Sequence, residues 1–532
     1  MLNSTELGQP PLRFFSHKHI NYGIAVLALL LCSLLLAACL FPQLENPQAE
    51  NTEFVNEQLV PENRLLIPAQ LEPSLENGEK VFSLTVQQGE AEFFQGKHTE
   101  TWSYNGTYLG PTIRARTGDK VRFNITNNLG ETTTVHWHGM HLPAAMDGGP
   151  HQIINPGETW QPYWTITNEA STLWYHPHTM GRTGEQVYRG LAGFFIIDDE
   201  NFDSLTLPKE YGVDDIPLVV QDKHFDSGGQ MVYPDQRGVV TAGRLGDTIL
   251  VNGTYAPFIE VPAKLVRFRL LNGSDARRYN FGFSDNRAFH QIATDGGMLE
   301  APVERTHLLL APGERAEILV DLSKTTEPII LMSYAFIDSD NPIQDVVQEQ
   351  IARGTDEGQQ FKILELRPKP GTFPTEQIPN VLNAIERFEE NEAVKTRQFV
   401  LDALTINGNR MDHERIDQIV RIGDTEIWKV ENHSPIYHPF HIHGIQFLVL
   451  DRDGREPSAY EQGWKDTVIV KPGETVRLIM QFRAYSDPNL PYMFHCHILT
   501  HEDMGMMGQF VVVDNLSDQV QIKSPLTEKR SQ

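Results

Sequence analysis

Histidines occur as closely spaced pairs in separate regions of the chain. Two histidines flank a single residue in five places. One of these pairs, His17-Lys18-His19, lies in the N-terminal segment, and the other four are His136-Trp137-His138, His176-Pro177-His178, His441-Ile442-His443 and His495-Cys496-His497. Residues i and i+2 of a β-strand point to the same face, so each pair directs two imidazoles to one place. About one such pair is expected by chance among 20 histidines in 532 residues. Eight imidazoles from four strands therefore predict a cluster of metal ions between two parts of the chain.

The last of these pairs encloses a cysteine, whose side chain faces the opposite side of the strand from the two histidines. One thiolate, two imidazoles and a weak axial thioether are the ligands of a blue copper site. The residues that can supply them are His438, Cys496, His501 and Met506. One strand would then hold a copper ion on one face and two cluster ligands on the other, which gives an electron a short covalent route. A zinc site needs no such route, and one of this size usually contains several cysteines.

Short β-strands must position these residues. Alternating runs of valine, isoleucine, phenylalanine, threonine and tyrosine are separated by Asn-Gly, Pro-Gly and Gly-Asp turns, a pattern typical of β-sandwiches. Two short phrases each occur three times, about 150 residues apart. They are Asn105-Gly106-Thr107, Asn252-Gly253-Thr254 and Asn407-Gly408-Asn409, and Pro156-Gly157-Glu158, Pro312-Gly313-Glu314 and Pro472-Gly473-Glu474. This repetition predicts three copies of one β domain, with the histidine pairs in the first and third copies.

The composition excludes some classes of function. The chain has 44 basic and 70 acidic residues, and a net charge of −26 repels nucleic acids and anionic membrane surfaces. Two of the three cysteines, Cys32 and Cys39, lie in an apolar N-terminal run. A mature protein without that run has a single thiol, Cys496, and therefore no internal disulfide.

The N-terminal segment carries an export pattern. The apolar run from Tyr22 to Phe41 follows a basic flank and contains Leu36-Ala37-Ala38-Cys39, which resembles a bacterial lipobox. The alternatives are a lipoprotein anchored at Cys39, an uncleaved transmembrane anchor and ordinary signal cleavage, all of which export the protein to the periplasm or cell envelope. The predicted segments are a signal or anchor at 1–41, an acidic tether at 42–79, domains at 80–205, 206–370 and 371–515, and a polar tail at 516–532.

The histidine motifs resemble those of the multicopper oxidases, the family of laccases, bilirubin oxidases and bacterial cuprous oxidases. The resemblance covers residues 80–515 and implies an all-β fold of three consecutive cupredoxin-like Greek-key β-sandwich domains. It also implies four copper ions, one of type 1, one of type 2 and two of type 3. The implied ligands are His438, Cys496, His501 and Met506 for type 1, His136 and His441 for type 2, and His138, His176, His178, His443, His495 and His497 for type 3.

The resemblance further implies a reaction in which one-electron oxidations of a reductant are coupled to reduction of dioxygen to two waters. This reaction consumes protons, and Asp147 and Glu502 match acids that deliver them in relatives. Each acid also has a simpler interpretation, because Asp147 precedes a Gly-Gly turn and Glu502 adjoins a ligand that it could merely support. The phrase Gly463-Trp464-Lys465-Asp466 also resembles the family, and we assign it a structural role.

The choice of reductant depends on the residues that cover His438. Cuprous oxidases carry a methionine-rich insertion, but no methionine occurs here between Met332 and Met411, and Asp345 is the one acid that we place near their cuprous site. Residues 338–360 predict a short amphipathic helix whose acidic outer face is either a solvated surface or a lid that attracts cations or amines. We expect a monomeric, laccase-like oxidase of phenols and aryl amines. The alternatives are an oxidase of Cu(I) or another metal ion in periplasmic copper tolerance, and a copper-binding envelope protein without catalysis.

Overall fold

The computed structural model describes residues 53–56, 59–233, 243–335, 358–373 and 377–522. The predicted export segment and the acidic segment up to residue 357, which includes Asp345, lie outside these residues. Residues Gln359 and Gln360, at the end of the predicted amphipathic helix, instead begin a β-strand. Within the described part of the chain, no helix has the length and apolar character needed to cross a membrane.

The first β-sandwich is formed by β3 to β12. The strands in this part of the chain are β1 (Glu53–Phe54), β2 (Asn63–Arg64), β3 (Ser74–Glu76), β4 (Glu79–Phe94), β5 (Lys97–Tyr104), β6 (Ile113–Arg116), β7 (Lys120–Asn127), β8 (His136–His138), β9 (Thr159–Trp160), β10 (Tyr163–Thr165), β11 (Ser171–His176) and β12 (Gly193–Asp198). One sheet has the order β10-β7-β4-β3, with β5 beside β4 and β9 beside β7, and the other has the order β6-β12-β11-β8. A 3₁₀ turn (Ala144–Met146) and helix α1 (Thr183–Tyr188) lie in its loops.

The second sandwich follows helix α2 (Glu200–Ser204). Its strands are β13 (Asp215–Lys223), β14 (Thr248–Val251), β15 (Thr254–Tyr255), β16 (Pro257–Pro262), β17 (Leu265–Asn272), β18 (Tyr279–Phe283), β19 (Phe289–Thr294), β20 (Gly297–Arg305), β21 (His307–Leu310), β22 (Arg315–Asp321), β23 (Ile329–Ser333) and β24 (Gln359–Lys369). One sheet has the order β15-β14-β13-β17-β22-β19-β20. The other has the order β2-β16-β24-β23-β18-β21, with β1 beside β24.

The third sandwich ends with helix α3 (Leu499–Asp503) and the strand after it. Its strands are β25 (Lys395–Asp402), β26 (Thr405–Ile406), β27 (Gln418–Arg421), β28 (Thr425–Asn432), β29 (His438–Ile442), β30 (Leu448–Arg452), β31 (Thr467–Val470), β32 (Thr475–Gln481), β33 (Asp487–Cys496) and β34 (Met507–Val513), with 3₁₀ turns at Glu390–Glu392 and Ala459–Glu461. The two sheets have the orders β26-β25-β28-β32-β30 and β27-β34-β33-β29-β31.

The alternating pattern of the sequence explains how these sheets pack. In β7, Val121, Phe123 and Ile125 are buried while Lys120 is exposed, so one face of the strand joins the core. The Phe123 ring stacks on Phe82 of β4 with a centroid distance of 5.2 Å. Burial of each such side chain contributes about 1.5–3 kcal/mol.

The repeated Asn-Gly phrases make the same hydrogen bonds in each sandwich. Asn105, Asn252 and Asn407 have left-handed backbones, with φ of 58°, 49° and 54°, a conformation that asparagine tolerates. In each case the asparagine side-chain oxygen accepts a hydrogen bond from a backbone N–H of a neighbouring strand. The side-chain nitrogen donates to the carbonyl that lies two residues before that N–H on the same strand. These partners are Thr85 and Ser83, Val219 and Pro217, and Val400 and Gln398. The predicted all-β fold with three related domains is confirmed.

The predicted acidic tether is wrong for residues 59–79. Strand β2 pairs in parallel with β16, and the backbone N–H of Leu65 donates to the carbonyl of Phe258 over 2.7 Å. Leu65 is buried in the core of the second sandwich. The acidic, proline-containing composition of this segment suggested a linker, whereas its few apolar residues fasten it to the edge of a sheet.

Candidate metal centre

Eight buried imidazoles meet between the first and third sandwiches. They come from β8, the end of β11, β29 and the end of β33, together with the residues that follow these strands, and each is at most 1% exposed. Two stacked pairs cross the interface. The His136 and His443 rings are 3.7 Å apart, and the His138 and His441 rings are also 3.7 Å apart.

The nitrogen atoms of these rings form three overlapping groups that could each hold a metal ion. Within each group, one ligand atom per residue lies within 4.8 Å of the others. The groups are His136, His138 and His176; His136, His441 and His443; and His178, His443 and His495. The structure therefore brings the residues of all four predicted pairs together, with His497 packed at the side, 5.0 Å from the His138 ring.

Backbone carbonyls set the orientation of two rings. Nδ1 of His136 donates to the carbonyl of Asp147 over 2.9 Å, and Nδ1 of His441 donates to the carbonyl of Asp466 over 2.8 Å. Within the described residues, the Nε2 atoms of both rings are buried and have no hydrogen-bond partner. A protonated Nδ1 leaves the lone pair on Nε2, which is how a histidine is prepared as a metal ligand. This arrangement fits a bound ion between the two rings.

Three further Nε2 atoms converge on one point. Nε2 of His495 lies 3.2 Å from that of His178 and 3.1 Å from that of His443. Burial lowers the pKa of all three imidazoles well below the ordinary value, so they are neutral near pH 7. Neutral, deprotonated nitrogens are the form that binds a metal. The close approach of three lone pairs is favourable only when a cation lies between them.

Asp147 and Glu502 contact the outer nitrogens of these rings. Nδ1 of His443 donates to Oδ2 of Asp147 over 2.8 Å. The Glu502 carboxylate lies between two rings, with Oε1 3.3 Å from Nδ1 of His178 and Oε2 3.3 Å from Nδ1 of His495. Burial raises the pKa of both acids well above the ordinary range. Both predicted acids therefore lie at the cluster.

A second donor set lies inside the core of the third sandwich. Sγ of Cys496 is 3.3 Å from Nδ1 of His438 and 3.7 Å from Nδ1 of His501. The hydroxyl of Ser434 lies 2.7 Å from Nε2 of His438 and fixes that ring. Met506 is fully buried, and its carbonyl accepts the backbone N–H of Cys496 over 3.1 Å. Burial raises the pKa of the Cys496 thiol, so a nearby cation is needed to hold it as a thiolate.

One strand contributes to both donor sets. The side chain of Cys496 packs in the apolar core with Phe440 and Phe494, whereas His495 on the opposite face contacts the histidine cluster. Strand β29 pairs with it so that Phe440 opposes Cys496 and His441 opposes His495. The period-two arrangement predicted for the strand is thus present in two adjacent strands.

Asp466, to which the sequence assigned only a structural role, directly contacts a predicted ligand. This fully buried carboxylate lies 2.9 Å from Nε2 of His138 and accepts hydrogen bonds from both terminal nitrogens of Arg315, over 2.7 and 2.6 Å. His138 is therefore held through Nε2, and its Nδ1 faces His176 over 3.4 Å. A charged pair, Lys465-Asp466, directly before the apolar strand β31 was the available signal.

Among the described residues, the second sandwich contributes none of these donors, but its Arg315 and Gly313 contact the site. Arg315 opens β22 and reaches Asp466, as described above. Gly313, with φ of 82°, lies against a ring of the cluster, because a Cβ atom there would be 2.8 Å from Cδ2 of His497. Only glycine allows this close approach.

The fold and the donor sets together define a three-sandwich metalloprotein whose thiolate, imidazole and thioether ligands suit copper. Two sequence profiles, both described as multicopper oxidase, match residues 85–201 and 374–515. The chain is 38% identical over 456 residues to multicopper oxidase mco of Staphylococcus aureus, which covers 85% of this chain and 93% of that protein. The chain therefore belongs to the multicopper oxidase family.

Proteins similar to this chain are named for different functions. Cell division protein FtsP of Xenorhabdus nematophila is 37% identical over 450 residues, or 83% of this chain and 91% of that protein. The chain is 36% identical to a solved structure of the laccase-like multicopper oxidase CueO from Ochrobactrum sp., which is described as active towards lignin model compounds. It superposes with a TM-score of 0.76 over 84% of this chain and 100% of that chain.

Proposed function

We propose that this protein is a laccase-like oxidase that couples one-electron oxidation of phenols or aryl amines to the four-electron reduction of dioxygen to water. The observation that carries the proposal is the complete donor set, with eight neutral imidazoles at one interface and a thiolate set on the opposite face of the same strand. A protein that only stored copper would not need the two sets to share a strand.

The residues would hold four copper ions in the arrangement implied by the family. The thiolate-centred site would use His438, Cys496, His501 and Met506, the type 2 site His136 and His441, and the type 3 pair His138, His176, His178, His443, His495 and His497. Bound copper supplies the one-electron redox chemistry and the reaction with dioxygen. The Nδ1 hydrogen bonds of His136 and His441 support the type 2 assignment, because each leaves the lone pair on a buried Nε2 that has no hydrogen-bond partner among the described residues.

Asp147 and Glu502 hold protons for the reduction of dioxygen. Their carboxyl groups are buried at the cluster, and burial raises the pKa of both. Each can therefore keep a proton near neutral pH and donate it as dioxygen is reduced to water. Asp147 contacts His443 through its side chain and His136 through its carbonyl, and thus also holds two ligands in place.

A cavity of about 820 Å³ between the second and third sandwiches is the proposed site of the organic reductant. It borders Tyr437, the residue before His438, and its volume is in the range of small-molecule sites. The Tyr437 ring packs on Ala311 and Ile469, and the Arg278 guanidinium lies 4.1 Å from its centroid. The cavity wall is aromatic at Tyr437 and Tyr460 and cationic at Arg305, and it would favour planar, electron-rich phenols.

The basic flank, apolar run and lipobox-like sequence at the N-terminus support a proposal for where the protein is located. We propose that the body of the protein lies in the periplasm or cell envelope and is tethered to a membrane, through lipid on Cys39 or through an uncleaved apolar run. Mass spectrometry of the membrane fraction separates the alternatives. A diacylglycerol-modified N-terminal Cys39 supports the lipoprotein, while an intact Met1 or an unmodified mature N-terminus contradicts it.

The central experiment measures oxygen uptake by copper-loaded protein with 2,6-dimethoxyphenol and, separately, with Cu(I). We expect phenol oxidation with four phenols consumed per dioxygen, and loss of turnover in Cys496→Ser. The matched control is Met507→Leu, which changes a buried residue beside the proposed ligand Met506 and should retain turnover. Turnover of Cu(I) alone would instead identify a metal oxidase.

A second candidate function comes from the cell-division relatives. The chain is 37–38% identical to proteins named for cell division rather than for an oxidase reaction. A non-catalytic envelope protein is therefore the alternative from a different class of function. The complete donor set favours the enzyme. The absence of oxygen uptake by protein that contains four copper ions per chain would favour the non-catalytic role.

A further inference from the structure

A histidine pair outside the donor sets described above lies beside the cluster. His151 lies four residues after Asp147 and is 2% exposed. His413 is a half-buried residue of the loop before β27. Their rings are 5.5 Å apart and nearly perpendicular, at 87°. Neither residue has a role in the proposed oxidase reaction.

Gln509 of β34 determines which nitrogen of His151 carries the proton. The two side-chain N–H groups of Gln509 are shared among three backbone carbonyls, those of Asp412, His413 and Arg415. Its oxygen must therefore face His151, and it accepts Nε2–H of that ring over 2.8 Å. The lone pair of His151 is consequently on Nδ1, which is buried and has no hydrogen-bond partner in the described part of the chain.

A buried acceptor of this kind is costly unless something binds to it. Burial lowers the pKa of His151 to about 4, so the ring remains neutral near pH 7. Gln509 also holds the backbone of His413, so the same amide positions both members of the pair. This is the support by neighbouring hydrogen bonds that metal-binding histidines require.

The separation of the two rings suits a shared ion. His438 and His501, which both approach the Cys496 sulfur, have centroids 5.3 Å apart. The His136 and His441 rings, with their Nε2 atoms prepared for one ion, are 5.8 Å apart. The value of 5.5 Å for His151 and His413 lies between these two distances.

The surroundings indicate which ion would bind. A cavity of about 720 Å³ reaches His413 and is also lined by Met180 and Met411. Imidazole with thioether is a soft donor set that selects Cu(I), whereas hard cations prefer oxygen ligands. We propose that His151 and His413, with a thioether from the cavity wall, form an additional Cu(I) site separate from the oxidase coppers.

The test uses Ag(I), which shares the charge and ligand preference of Cu(I) but does not reduce the oxidised protein. Copper-loaded wild-type protein is titrated with Ag(I) by calorimetry, and the metals retained after gel filtration are counted. We expect one Ag(I) per chain in addition to an unchanged copper content. His151→Gln and His413→Gln should each weaken this binding at least tenfold, and Met411→Leu should weaken it to a smaller extent.

His433→Gln is the matched control, since the side chain of this histidine is exposed and its ring contacts Glu431 rather than a residue of either site. Its Ag(I) affinity should equal that of the wild type. Equal Ag(I) uptake by wild type and His151→Gln, or Ag(I) that binds only by displacing copper, would overturn the proposal. If His151→Gln loses copper or folds poorly, His413→Gln decides alone, because Gln509 contacts the backbone of residue 413 and not its ring.

Discussion

Replacement of Asp466 by asparagine tests whether the ligand-free second sandwich stabilises the metal centre. The carboxylate is fully buried and forms a two-point ion pair with Arg315, over 2.7 and 2.6 Å, while Oδ1 also contacts His138. Asparagine has the same shape but lacks the charge. Both carboxylate oxygens accept hydrogen bonds from Arg315, so in either orientation the amide nitrogen of asparagine faces a guanidinium N–H, and one hydrogen bond becomes a clash of donors.

The expected magnitude follows from the burial of the pair. Removal of one partner of a buried ion pair costs about 3–5 kcal/mol, and here the Arg315 charge would keep only the more distant carboxylate of Asp295, 3.8 Å away. In a domain of this size each kcal/mol corresponds to roughly 2–4 °C, so the melting temperature of copper-free Asp466→Asn should fall by roughly 6–20 °C. The altered support for His138 should also weaken copper binding by about 10–100-fold.

The assays are thermal unfolding of the copper-free protein and competition for copper with a chelator. Glu386→Gln is the matched control, since Glu386 forms the same two-point pair with Arg483, over 2.6 Å at each contact, but the pair is 60% and 46% exposed. An exposed pair contributes at most about 1 kcal/mol. If Asp466→Asn melts within about 3 °C of this control and binds copper equally well, the second sandwich does not support the centre in the way we describe.

Three further predictions concern single residues. Gly313→Ala should lower the copper content, because its Cβ would be 2.8 Å from the His497 ring, whereas Gly157→Ala, in the equivalent turn with φ of 80° and open space around it, should retain full copper despite similar backbone strain. Met506→Leu should raise the reduction potential of the thiolate-bound copper in a redox titration, since a weak axial donor favours Cu(II), and an unchanged or lower potential would exclude Met506 as the ligand. Lys223→Met should raise the melting temperature more at pH 6 than at pH 10. Burial lowers the pKa of Lys223 to about 7 in the folded state, whereas the pKa in the unfolded state is about 10, so protonation favours the unfolded state. The lysine therefore destabilises the fold most below pH 7, and this penalty nearly disappears at pH 10. A pH-independent effect would contradict that origin.

The sequence predicted the features that depend on local periodicity. Alternation along a strand determines that His495 and His497 share one face and Cys496 the other, so both donor sets could be inferred from neighbouring residues. The Asn-Gly and Pro-Gly phrases likewise act within their own turns, and three copies of them indicated three domains. Asp147 and Glu502 were found through the family resemblance, and the structure brings both to the cluster.

The features that the sequence did not reveal depend on contacts between distant segments. The role of Asp466 arises from Arg315, 151 residues earlier and in another sandwich, and no local pattern announces that pairing. Residues 59–79 resembled a linker because parallel pairing of two-residue β2 with β16 requires few apolar side chains. The His151 lone pair depends on the orientation of one distant amide, that of Gln509.

The pairing of strands β29 and β33 affects both donor sets, so an error in their register would disturb both. A strand that pairs one residue out of register exchanges its two faces completely. Because Cys496 and His495 are adjacent on β33, and His438 and His441 face opposite sides of β29, such an error would remove ligands from both donor sets at once. A chain misfolded in this way would therefore lose both proposed copper sites together.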